Sequence, residues 1–89
     1  MTNPTVKGVV ELQAQVFSEC PDYTTLGLRT AAGEFVEVFL PTGKIDRDPE
    51  RFRIGQSLRL TGGEWQTDPA TANTVAHHRY WPVVVEYTQ

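Results

Sequence analysis

The sequence predicts an all-β fold, a small five-stranded antiparallel barrel with a short helical turn between its third and fourth strands. Three observations carry that prediction. Apolar residues recur at every second position in Val10-x-Leu12-x-Ala14-x-Val16, Leu26-x-Leu28, Val36-x-Val38-x-Leu40 and Leu58-x-Leu60, the period of strands with one buried face. Ala31-Ala32-Gly33-Glu34 lies between two of these runs and carries the glycine that a hairpin loop needs. The one helix-start signal, Asp48-Pro49, is followed by only Phe52 and Ile54 as apolar positions, too few for an amphipathic helix.

Residues 1–4 are expected to be a loose lead-in to a single domain spanning 1–89. Val6–Phe17 reads as a long first strand, with Val10, Leu12, Ala14 and Val16 inward, Glu11, Gln13 and Gln15 outward, and Gly8 permitting a sharp coil. Ser18–Tyr23 has turn chemistry, and Thr24–Thr30 follows as a second strand with Leu26 and Leu28 inward. Phe35–Leu40 is the third. Asp48 offers a carboxylate cap, Pro49 suits the first helical position, and Gly55 can end the turn. Gln56–Thr61 is a fourth strand, broken or bent by Gly62-Gly63; Glu64–Val75 reads as a polar loop, and Ala76–Tyr87 holds the fifth strand. The expected core is Val10, Leu12, Val16, Leu26, Leu28, Val36, Val38, Leu58 and Leu60.

The totals narrow the function. The chain of 89 residues is 39% hydrophobic and 21% charged, which suits one folded domain. It has no apolar run near the ~20 residues of a spanning helix and no secretory signal pattern, so no membrane contact and a cytoplasmic setting are expected. Cys20 is the sole cysteine, which rules out an internal disulfide and cysteine-only zinc sites. Neighbouring His77 and His78 on an extended strand point to opposite faces and cannot chelate one metal, so no metal or cofactor is expected. There is no phosphate-binding glycine loop and no recognisable catalytic triad, so the chain reads as non-catalytic.

The third strand holds the candidate function. Phe35 and Phe39 flank Glu37 on the face opposite Val36, Val38 and Leu40. An unpaired charge is costly to bury, so Glu37 marks that face as the wet one. Two aromatics exposed there would be stacking platforms for unpaired bases, with Arg29 beside them, Arg53 and Arg59 as phosphate contacts, and Phe17 and Tyr23 at the margin. Trp65, His77, Arg79 and Tyr80 would frame the loop between the last two strands and clamp an edge. The alternative is that the same apolar face packs under a loop, binds a protein partner, or forms a homodimer through Phe35 and Phe39. The net charge of −3 favours the alternative, since phosphate neutralisation supplies much of nucleic-acid affinity.

The order of elements matches the oligonucleotide/oligosaccharide-binding barrel (OB-fold) best, with an SH3-like barrel or a half-open sandwich as the other options. Gly55-Gln56-Ser57-Leu58-Arg59-Leu60-Thr61-Gly62 resembles the Gly-x-x-Leu-x-Leu-x-Gly fourth strand of OB domains. Followed by Gly63-Glu64-Trp65 and later by His77-His78-Arg79-Tyr80-Trp81, it is similar to the small N-terminal OB domain of RecD-like helicases. The resemblance implies a contact surface for single-stranded nucleic acid or an accessory protein. It does not imply helicase activity, because the chain holds no motor motif.

Overall fold

The computed structural model describes residues 5–88; the expected lead-in at 1–4 lies outside them. The elements are β1 (Thr5–Val16), β2 (Tyr23–Thr30), β3 (Phe35–Pro41), α1 (Thr42–Arg47), a 3₁₀ turn (Pro49–Phe52), β4 (Ser57–Thr61), β5 (Glu64–Asp68), β6 (His77–Trp81) and β7 (Val84–Thr88). The all-β class holds, as one seven-stranded sheet in the order β5-β6-β3-β2-β1-β4-β7.

Pairing is not antiparallel throughout. β3 and β6 run parallel, Val36 opposite His78 and Val38 opposite Tyr80. A parallel partner needs a long crossover, here the stretch through α1, β4 and β5.

The strand count also differs from the expected five. The supposed polar loop contains β5, whose five residues are all exposed, and the expected fifth strand is divided into β6 and β7. Both breaks lie in one place. Ser57↔Thr88 to Thr61↔Val84 and Glu64↔Trp81 to Asp68↔His77 continue a single register, so β4–β5 and β6–β7 form one bent double strand. The bend requires a glycine: Gly63 has φ +81°, and a Cβ there would collide with the Trp81 carbonyl oxygen. Tyr80 Oη donates to the Gly62 carbonyl, and the Val83 N–H donates to Thr61 O at 3.2 Å.

The inward residues of β2, β3 and β4 are as the alternation predicts: Leu26, Leu28, Val36, Val38, Leu58 and Leu60 are buried, with Val6 and Val10 from β1. Leu12 and Val16 are not core, being 56% and 58% exposed. The β1–β2 register slips between Val10 and Leu12 and again before Gln15. A slip of one residue turns a side chain to the other face. Beyond Val9, β1 has no β4 partner to enclose it, which leaves Val16 at the rim.

The helical segment starts earlier than Asp48. Thr42 anchors α1, its N–H donating to Asp22 O at 2.8 Å and its hydroxyl to Pro21 O at 2.7 Å, while buried Thr24 donates to Thr42 Oγ1 at 3.1 Å. Asp48 makes no side-chain cap; Pro49 opens the 3₁₀ turn. Ile45 and Phe52 are the buried residues here, and Ile54 is exposed.

The β2–β3 hairpin turns where predicted. Gly33 has φ +85° and donates its N–H to Thr30 O at 2.9 Å, and Thr30 N–H donates to Glu34 O at 2.9 Å. A turn followed by a positive-φ glycine is the usual closure of such loops.

No helix of the described residues is long and apolar enough to cross a membrane.

Candidate functional site

On the sheet face away from the core, β3 carries Phe35, Glu37 and Phe39, as alternation requires. The two phenylalanines have different surroundings. Phe35 is half-buried, its ring lying over Gly27: a Cβ built there would sit 2.5 Å from Cζ of the ring. The absence of a side chain at Gly27 makes room for that ring. Arg29 stacks on it, its guanidinium carbon 5.3 Å from the ring centroid.

Phe39 is 5% exposed, so it is not an open platform. Trp81 covers it in a parallel stack, 4.6 Å between centroids and 12° between planes, and Phe17 meets it edge-on at 5.4 Å. The parallel β3–β6 register brings Trp81 beside Phe39, one step beyond Val38↔Tyr80. Phe17, Tyr23, Phe39 and Trp81 form the apolar wall of a groove of about 610 Å³, with Glu19, Glu37, Gln66, His77 and Arg79 on its polar side. The turn after β1 shapes one edge: Phe17 N–H donates to Tyr23 O at 2.9 Å, and Cys20 N–H to Phe17 O at 3.1 Å.

Charge on this face is balanced internally. Glu37 Oε1 lies 3.3 Å from His77 Nε2 and 3.7 Å from Arg79 Nε, and Arg79 Nη1 is 3.4 Å from Asp68 Oδ2. Arg29 Nε is 2.7 Å from Glu11 Oε2 and its Nη1 donates to Gly33 O at 2.9 Å. These pairs are partly exposed, where ion pairs contribute little stability. They do orient the side chains and cancel most of the local positive potential.

The clamp expected from Trp65, His77, Arg79 and Tyr80 divides between the two faces. His77 and Arg79 line the groove, while His78 and Tyr80 alternate to the other side. Tyr80 is fully buried in the core and is not available to a surface ligand; burial pushes its phenol above the ordinary pKa. Trp65 sits near His78 and Tyr80, at 5.3 and 5.5 Å between centroids. Its Nε1–H donates to Thr67 Oγ1 at 2.7 Å, which meets His78 Nδ1 at 3.1 Å; His78 Nε2 then reaches Glu34 at 3.2 Å. That chain ties β5 to the hairpin turn.

The remaining arginines lie elsewhere. Arg53 is exposed and pairs with Glu50 at 3.3 Å, outside the groove. Arg59 is exposed on β4, in register with Lys7 on one side and Glu86 on the other, and forms no ion pair among the described residues. Gln66 and Trp81 join the groove without having been expected there, because only the parallel pairing of β3 with β6 brings them to it. Among the described residues no three His, Cys, Asp or Glu side chains gather into a metal-holding group.

No protein-family model, curated protein or solved structure matches the chain.

Proposed function

We propose that the chain is an OB-type barrel module that binds single-stranded nucleic acid in the Phe17–Phe39–Trp81 groove. The barrel part is supported by the bent double strand. Counting β4–β5 and β6–β7 as one strand each gives five strands, each paired on both sides, in the cyclic order of an OB barrel, with the third and last parallel. The observation that carries the binding reading is the groove itself. Aromatic rings stand beside Gln66, His77 and Arg79 on an open sheet face, combining stacking surface with hydrogen-bonding groups. Phe39 fixes the plane of Trp81, and Trp81, Phe17 and Tyr23 meet the bases. Arg79 contacts the backbone, and Phe35 with Arg29 extends the surface along β2 and β3. The cytoplasmic setting belongs to the same reading.

The test is a fluorescence-anisotropy titration with single strands of about 15 nucleotides at low salt. Phe17→Ala should weaken binding by a factor of about 5 to 150, the ~1–3 kcal/mol of one stacked base. Salt dependence should be shallow, because the face offers few unpaired cations. Absence of binding at high micromolar protein would refute the reading.

A protein-contact role is the second reading. It is favoured by the ion pairing of Arg29, Arg51, Arg53 and Arg79, and by Leu12 and Ile54, exposed beside Phe35. Loss of Phe35 accessibility on homodimerisation, seen by light scattering and labelling, would support it.

A further inference from the structure

Glu37 is an unusual residue to find in the middle of a nucleic-acid groove, and its geometry is specific. It lies between Phe35 and Phe39 and lines both the aromatic groove and the smaller hollow over Gly27. Two β6 side chains approach the same oxygen: His77 Nε2 at 3.3 Å and the Arg79 guanidinium, Nε at 3.7 Å, from Oε1. The side chain is 32% exposed. The carboxylate is therefore held from the β6 side and remains partly open to the groove.

Resting on the nucleic-acid reading above, we propose that Glu37 makes the groove selective for bases with an exocyclic amine, so that cytosine is preferred over thymine or uracil. A carboxylate accepts hydrogen bonds and donates none. The cytosine N4 amine donates to such an acceptor, whereas thymine places its O4 acceptor at the same position. Two facing acceptors leave both without a partner, and polar groups left unsatisfied on desolvation are costly. A fixed negative charge also repels phosphate, so the strand lies at this point with its bases toward the sheet. The aromatic wall is indifferent to base identity, because every base has a π-face. Glu37, the groove carboxylate that His77 and Arg79 hold in place, then decides the preference.

The experiment compares oligodeoxycytidine with oligodeoxythymidine, each of about 15 nucleotides, at slightly alkaline pH and low salt, for the native chain, Glu37→Gln and Glu86→Gln. Glu86 is exposed on β7, so its variant makes the same change of charge elsewhere. The expected result is a cytosine preference of about 5- to 10-fold. Glu37→Gln should bring the ratio close to one, since an amide both donates and accepts, and Glu86→Gln should leave it unchanged. Thermal melting of each variant separates lost selectivity from lost folding. If both oligomers bind the native chain equally, if thymidine is preferred, or if the ratio survives Glu37→Gln, the selectivity inference is overturned while the groove reading stands. If neither oligomer binds, both fall together.

Discussion

Phe39 lies flat against Trp81 and edge-on to Phe17, almost sealed from solvent, while Phe35 spreads over Gly27 beneath the Arg29 guanidinium. Sequence alternation places both on one face and cannot distinguish them, because the difference comes from what other strands bring alongside. Phe39→Ala removes a nearly buried ring and leaves Trp81 and Phe17 without their common contact. It is expected to cost about 3–5 kcal/mol. Phe35→Ala uncovers a glycine on a half-exposed face and should cost about 1 kcal/mol. Urea denaturation of both variants checks the ranking; equal losses would show that Phe39 is as open as Phe35. Tyr80 gives a similar lesson. Its place in a run of polar and aromatic residues suggested a ligand clamp, yet its alternation with Arg79 turns it into the core.

At the level of elements, the hairpin of β2 and β3 was the most legible, since its signals are local: alternating leucines and valines on either side of Ala31-Ala32-Gly33-Glu34. The bulge of β1 was not. Val10, Leu12, Ala14 and Val16 alternate without a break, and the slip appears only against β2. β5 was hidden because all five of its residues are exposed, so no apolar period marks it. The start of α1 rests on hydrogen bonds from Thr42 to residues about twenty positions away, which leave no local signature. The bend at Gly62-Gly63 was visible, but not its strict need for glycine. Gly33 and Gly63 both have positive φ, yet Gly33 faces open space and Gly63 faces the Trp81 backbone. Gly33→Ala should therefore cost only the conformational strain, about 1–2 kcal/mol. Gly63→Ala adds a backbone collision that can be relieved only by parting β5 from β6, and should cost distinctly more. Denaturant midpoints of the two variants compare them directly; a Gly63→Ala loss no larger than that of Gly33→Ala would mean the bend tolerates a side chain.

At the scale of the whole molecule, the net charge of −3 and the internal pairing of Arg29 and Arg79 leave little positive potential on the groove face. Long-range attraction of phosphate is weak under those conditions, and affinity has to come from short-range stacking and hydrogen bonds. The sequence showed the aromatic content of that face but not its assembly, since Phe17, Phe39 and Trp81 come from three separate stretches joined by long-range pairing. The most direct measurement is a nitrogen–proton NMR titration of the labelled chain with a single strand of about 15 nucleotides at low salt. The account predicts shifts concentrated at the Trp81 indole and at the amides of Phe17, Glu37, Gln66 and Arg79, with Trp65 and the α1 segment unchanged. No shifts with excess oligonucleotide, or shifts confined to Lys7 and Arg59 on the β1–β4 side, would contradict it.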